Sequence, residues 1–573
     1  MTFFARSAAL ALALTLAAGV QSTSAESFSG SYLAGRQAEQ QNDYAQAASY
    51  YTRALVRAPD NVDIMESLTL VNLMQGQFER ALPVARTMES RGLTSQVGQM
   101  VITTDLARSG EFEALMNHIG QHEGVGIGPL VDGLLLAWAT LGSGDTAAAM
   151  TAFDSLSNQQ GLRGFALYHK ALAFALTGDF ESAESIFIED TDGLVQLTRR
   201  GAMARSEILS QLGRNADALA TLEQAFGLAS DPGISALREK LEAGEKVPFS
   251  HISSAQDGMA EVHYSIAAAL VNEAQPDYTL LYARLAQSLR PDHSDALLLA
   301  AELLGQLDQQ ELAIEAFAAV SRDHVDYHAA ELGRIGALRA LDKPDAAIEA
   351  LNNLAKTHGH LAIVHSTLGD VYRGEKNFAE ATTAYDEALE QTPDTQIRGK
   401  WFLYYARAIS HERRDMWEEA EADFRSALEL EPEQPQVLNY LGYSLVEKQI
   451  NLDEALDMIE RAVAARPDSG YIIDSLGWVL YRIGRYEEAV QHMERAVELM
   501  PVDPVVTDHL GDVYWAVGRE REAEFQWHRA LSFVDPEETD GEADPDRIRR
   551  KLEVGLDAVL AEEGAPPLTV AND

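Results

Sequence analysis

The chain has 573 residues, of which 89 are acidic and 45 basic, giving a formal net charge of −44, and it contains no cysteine. A surface this acidic repels duplex DNA and anionic lipid and attracts cationic partners. The lack of thiols excludes disulfides, thiolate catalysis and Cys-ligated zinc or iron–sulfur centres. With 46% hydrophobic residues the chain has apolar material to fold, and it is too long for a single core.

The first element is an export signal. Arg6 supplies a positive start, Ala8 to Val20 is an apolar run too short to span a bilayer, and Thr23-Ser24-Ala25 places small residues at a cleavage site. Residues 1–25 are therefore expected to be removed as a signal peptide, leaving a periplasmic chain that starts at Glu26. No cysteine follows to carry a lipid anchor, and no later stretch reads as a transmembrane helix. Any attachment to a membrane would be peripheral, through a partner.

A repeating pattern then begins at Gly35, Tyr44, Ala47, Tyr51, Ala54, Leu55 and Pro59. Weaker copies follow at Gly76-Gln77-Phe78 with Ala81, at Gly110-Glu111-Phe112, and at Gly144 with Ala149 and Phe153. Two more stand at Gly178-Asp179-Phe180 with Ala183 and Phe187, and at Gly213 with Ala218 and Leu222. Residues 226–257 fall out of phase, with turn material at Asp231-Pro232-Gly233 and Glu242-Ala243-Gly244-Glu245, and read as a joint. Divergent copies resume around Ala286 and Pro291, Ala313 and Phe317, and Ala347 and Leu351. The last five are the clearest. Leu368-Gly369, Tyr372, Phe378, Ala381, Tyr385 and Ala388 belong to one of them. Leu476-Gly477, Leu480, Gly484, Tyr486, Ala489 and Ala496 return 34 residues later as Leu510-Gly511, Tyr514, Gly518, Glu520, Ala523 and Ala530.

This pattern resembles the tetratricopeptide repeat, a helix-turn-helix unit with a period of about 34 residues. The spacing has a physical reason. A small residue at repeat position 8 and alanine at position 20 let two antiparallel helices approach, an aromatic at position 24 fills the space beside them, and proline near position 32 ends the second helix. One unit cannot bury its own apolar face, so units stack. The expected fold is all-α, a superhelical TPR solenoid of about fourteen repeats. The expected organisation is a signal peptide at 1–25, an N-terminal array at 26–225, a joint at 226–257 and a C-terminal array at 258–536. An acidic link and capping helix follow at 537–563, then a disordered tail at 564–573. Asp544-Pro545 opens the capping helix, with Ile548, Leu552, Leu556 and Val559 as its apolar stripe.

Over residues 258–560 the chain is similar to large exported bacterial repeat proteins. The similarity rests on Leu438-Asn439-Tyr440-Leu441-Gly442-Tyr443, Leu452-Asp453-Glu454-Ala455, Asp474-Ser475-Leu476-Gly477-Trp478 and Asp508-His509-Leu510-Gly511-Asp512. That group includes outer-membrane lipoproteins that act as adaptors for a periplasmic carboxy-terminal-processing protease. The resemblance implies an envelope adaptor or scaffold whose partners include such a protease or its clients; this chain departs from the lipoproteins in lacking the lipidated cysteine. In the repeat family, first-helix positions 2, 5, 6, 9, 12 and 13 line the concave face. Carried over, they give Phe402 and Tyr405, then Asn439, Tyr440 and Tyr443, then Asp474, Trp478, Tyr481 and Arg482, and finally Asp508, His509, Asp512 and Trp515. Aromatics among polar neighbours are the material of interface hot spots. Acids beside them suit a client segment that is basic and partly apolar, through ion pairing and cation–π contact.

Nothing in the sequence points to catalysis or to a cofactor. Fifteen histidines include His358-Gly359-His360 and a cluster of Asp323, His324, Asp326 and His328, but no His-Glu-x-x-His occurs, and polar residues at helix starts account for them. Gly142-Ser143-Gly144-Asp145 lacks the strand and Lys-Ser/Thr of a phosphate loop. Glu418-Glu419 and Glu487-Glu488 sit at helix starts, where acids favour the positive end of the helix. The sequence thus reads as a non-enzymatic protein-binding adaptor or scaffold of the bacterial envelope. The rival reading is a scaffold subunit of polysaccharide or pilus export machinery.

Overall fold

In a computed structural model, residues 28–122, 126–159, 161–189, 198–227, 232–393, 399–535 and 543–568 are described. The expected signal peptide, most of the acidic link and the end of the tail lie outside them. Thirty-one helices and no strand occur among the described residues, in keeping with about fourteen repeats. None of these helices is long and apolar enough to cross a membrane. The chain divides into two compact units, residues 1–347 and 348–573.

Packing within each repeat follows the spacing of its small and large residues. A Cβ placed on Gly35, Gly369 or Gly511 would meet Tyr51, Tyr385 or Trp527 at 2.7, 2.6 and 2.4 Å, so only glycine lets the first helix lie against the aromatic of the second. Tyr51, Tyr385 and Trp527 are buried with the alanines around them. The turn between the two helices needs a left-handed residue. Gly484 supplies it at φ +81°, whereas Lys376 and Gln449 adopt φ +58° and +56° at the equivalent turns without glycine. Pro467 and Pro501 stand just beyond second helices that end at Ala465 and Leu499.

In the unit spanning 1–347, the inner row is formed by first helices. Val62–Met74 touches Gln96–Arg108, and Pro129–Gly142 touches Arg163–Leu176. Onto this row fold two later helices, Ala255–Leu270 and Pro276–Leu289. Ala255–Leu270 lies against Pro129–Gly142 so closely that a Cβ on Gly258 would meet the Trp138 ring at 2.5 Å. Arg284, 8% exposed, donates from Nε and Nη2 to the Met74 carbonyl at 3.2 and 3.1 Å. One core cluster therefore joins helices from Ala38 to Ala337, with two smaller clusters, around Phe187 and around Leu222, beside it. The segment expected as a joint contains a helix, Pro232–Glu242, and the residues after it pack into the unit that precedes them. The two units meet at 347/348, and the apolar faces of 255–289 are buried against the first repeats.

The unit spanning 348–573 stacks the five clearest repeats, and again the first helices Pro435–Glu447, Gly470–Arg482 and Pro504–Ala516 form the inner row. The expected capping helix is broken. Gly555, at φ +82°, separates Pro545–Val554 from Leu556–Glu562. Ile548, Leu556 and Val559 are buried as expected, but Leu552 is only half-buried, and the fourth buried side chain is that of Lys551.

Candidate protein-binding groove

A buried polar network crosses the inner row of the first unit, beside a cavity of about 440 Å³ bordered by Phe165, Tyr168, Arg200, Glu261 and Tyr264. Glu261, 1% exposed on Ala255–Leu270, accepts from Arg200 at 2.7 Å and from Tyr168 Oη at 2.9 Å. Arg200 reaches on to Asp295 at 2.6 Å. Burial opposes ionisation of Glu261, but Arg200, with His251 and His293 beside it, outweighs that and holds the carboxyl well below its usual range. Trp138 donates Nε1–H to His169 at 3.2 Å, and the other ring nitrogen of His169 meets Ser265 at 3.2 Å. These contacts tie the inserted helix to the first helices it covers.

The second unit has a cavity of its own. Its inner face carries a cleft of about 530 Å³ bordered by Glu412, Arg413, Asn439, Tyr440, Tyr443, Glu447, Lys448, Tyr471, Asp474 and Asp503. Four acids against two bases give it a negative rim. Tyr471 is 51% exposed, and Asn439 Oδ1 is buried without a hydrogen-bond partner. Helix Pro435–Glu447 places Asn439, Tyr440 and Tyr443 together because they lie one turn apart on one face.

The residues expected to line the groove separate into three groups. Asn439, Tyr440, Tyr443 and Asp474 border the cleft, and Phe402 is 39% exposed on the neighbouring first helix. Tyr405 and Tyr440 also pack inward, with Tyr440 5.2 Å from the buried Phe424 and 6.1 Å from Tyr405. A second group is a layered stack. Trp478 lies parallel to His509 at 4.0 Å and to Tyr481 at 4.9 Å, and donates Nε1–H to Glu447 at 2.6 Å. Arg482 joins the same Glu447 at 3.0 Å. His509 Nδ1 sits 3.0 Å from Asp474. Burial alone would lower the basicity of His509, but Asp474, with Asp508 and Asp512, raises its pKa to about 8.

The third group is Asp508, Asp512 and Trp515. Lys551 enters from the terminal helix with its side chain fully buried, and its Nζ donates to Asp508 at 2.8 Å and to Asp512 at 2.6 Å. Asp512 also accepts from Trp527 Nε1 at 2.9 Å, and Trp515 donates to Asp557 at 3.0 Å. Asp508 and Asp512, expected to present charge to a basic client, meet a basic group of this chain. A lysine in a terminal helix reads as solvated in sequence, so no signal marked it. Glu412, Glu447, Tyr471 and Asp503, which border the cleft, were also missed. They stand at the ends of the same first helices: counted from Ala408, Gly442 and Gly477 at position 8, Glu412, Glu447 and Tyr471 occupy groove positions 12, 13 and 2, and Asp503 caps the start of Pro504–Ala516.

Tetratricopeptide-repeat family models match residues 32–92, 332–395, 405–470 and 472–501. The chain is 27% identical over 187 residues to the TPR repeat-containing protein PA4667 of Pseudomonas aeruginosa, a match covering 32% of this chain and 31% of that protein. The chain thus aligns with about a third of the length of that relative. Among solved structures it is similar to the APC/C hetero-tetramer Cut9–Hcn1, at 14% identity over 91% of this chain and 95% of that one, with a TM-score of 0.38. It is also similar to yeast Tom70, at 15% identity over 94% and 98%, with a TM-score of 0.29. Proteins built on this repeat generally mediate protein–protein interactions as scaffolds, and no catalytic family is indicated. Over the matched stretches the chain is similar to tetratricopeptide repeats, and its helices pack glycine against aromatic at that repeat's spacing.

Proposed function

We propose that the protein is a non-enzymatic adaptor of the bacterial cell envelope that holds basic, partly apolar segments of partner proteins in the inner cleft of residues 400–516. One observation carries this reading. The second unit's inner face carries a cleft of about 530 Å³ with aromatic walls and a negative rim, and the inner row of the first unit is crossed by Ala255–Leu270 and Pro276–Leu289. Tyr443 and Tyr471 offer apolar surface, Glu412, Glu447 and Asp503 offer charge to a lysine or arginine, and the net charge of −44 steers a cationic segment inward. Export supports the envelope setting, through the short apolar run and Thr23-Ser24-Ala25. The resemblance to protease-adaptor lipoproteins adds a protease or its clients as candidate partners.

The test uses the mature chain and a library of lysine-containing peptides, with the selected peptides measured by surface plasmon resonance at two salt concentrations. Trp478→Ala with Tyr443→Ala should raise the dissociation rate, since buried aromatic anchors cost about 2 kcal/mol or more on truncation. Glu412→Gln with Glu447→Gln should slow association and flatten its salt dependence. Selection of acidic or purely apolar peptides, or binding unmoved by both pairs of substitutions, would refute the assignment. N-terminal sequencing of the envelope form should begin at Glu26; a cytoplasmic full-length species would refute export.

A further inference from the structure

The first unit holds a cluster that the scaffold reading does not use. Glu89 lies in the last turn of helix Phe78–Ser90, His118 in the last turn of Phe112–Gln121, and His122 immediately after it. The histidines are four residues apart, so their rings share one face of the helix, with centroids 4.5 Å apart. One ligand atom from each of the three residues lies within 4.8 Å of the other two.

Hydrogen bonds decide which atoms carry lone pairs. His122 Nδ1 faces the His118 carbonyl at 2.8 Å and must donate to it, so Nε2 is the unprotonated nitrogen. His118 Nε2 faces Gln99 Oε1 at 2.5 Å and donates there, which leaves the Nδ1 lone pair directed at Glu89 Oε1, 3.1 Å away. Two acceptors then confront each other across a hydrogen-bond distance. A cation relieves it without a proton. Each ring's second nitrogen donating to a carbonyl oxygen is also the outer-shell arrangement that fixes metal-binding histidines.

We propose that Glu89, His118 and His122 bind one divalent transition-metal ion of the zinc class. Two imidazoles and a carboxylate match that chemistry, with water completing a four-coordinate site. Asp132, on the following first helix, contributes negative potential at His118, while its own carboxylate accepts from the Ile127 and Gly128 amides. The ion would clamp the second helices of two successive repeats across the Gln99 helix, fixing the geometry of the N-terminal array.

The test uses the whole mature chain, stripped with a chelator and titrated with zinc chloride by calorimetry. The expected result is one equivalent bound, and cobalt(II) in place of zinc should give the visible absorption of a four-coordinate N,N,O site. Both Glu89 and His122 reach the surface, so Glu89→Gln and His122→Ala should fold normally by circular dichroism. Each should weaken zinc binding roughly tenfold or more, and Gln99→Leu, which frees the His118 tautomer, by about tenfold. Absence of a stoichiometric site in the parent chain, or His122→Ala and Glu89→Gln binding zinc as the parent does, would overturn the proposal.

Discussion

Replacing Lys551 with methionine keeps the length and most of the volume of the side chain but removes the cation shared by Asp508 and Asp512. Both carboxylates are buried, at 6% and 1% exposure, and Lys551 Nζ lies 2.8 and 2.6 Å from them. Breaking one partner of a buried ion pair typically costs about 3–5 kcal/mol, because the remaining charge is left desolvated. Here two like charges remain, and Arg547, 3.6 Å from Asp512 and 30% exposed, compensates them only in part. The terminal helices should therefore open more readily. Hydrogen exchange followed by mass spectrometry should show peptides from 545–562 and 504–516 exchanging roughly a hundredfold to a thousandfold faster, at about 1.4 kcal/mol per tenfold. The defect also has a pH sign. Burial already raises the pKa of Asp508, against the pull of Lys551. Without the lysine the folded state holds its proton more tightly still than the unfolded chain, so the loss should shrink as pH falls into the carboxylate range. Unchanged protection in Lys551→Met at neutral pH would refute the view that this ion pair seats the cap.

The other predictions concern packing and charge elsewhere. Gly477→Leu drives a side chain into Met493, 2.7 Å from where a Cβ would stand, and should cost about 1–3 kcal/mol in denaturant unfolding of the second unit; an unmoved transition would mean the repeat register is misassigned. His509, raised from 6.5 to about 8, contributes stability that is complete below 6.5 and lost as pH rises through 8. That contribution is at most roughly 2 kcal/mol. Urea midpoints of the parent should fall between those limits, and His509→Gln should remove the dependence. Glu261→Gln leaves Arg200 without its main counter-charge and should loosen helix Ala255–Leu270 by about 3–5 kcal/mol, read as faster hydrogen exchange there while 504–533 is unaffected.

By itself the sequence determined the repeat. Glycine, alanine and aromatic residues at fixed offsets can be satisfied only by close antiparallel helices, so helix identity, turn positions and the packing of Gly369 on Tyr385 or Gly511 on Trp527 were legible without coordinates. The surface-lining positions of the last repeats were legible as positions, because a helix has a fixed period. What those positions face was decided by tertiary structure. Asp508 and Asp512 read as open acids until Lys551, some forty residues away, is seen between them. Residues 255–289 read as the start of a second array, yet the apolar and charged groups around Gly258, Glu261 and Arg284 find their partners on helices from 61 to 210 residues earlier. Glu89 and the pair His118 and His122 come from different repeats and converge only when the helices stack. Local periodicity specifies each hairpin; which distant chain covers which face depends on burial summed over the whole fold, and no short window of sequence carries that sum.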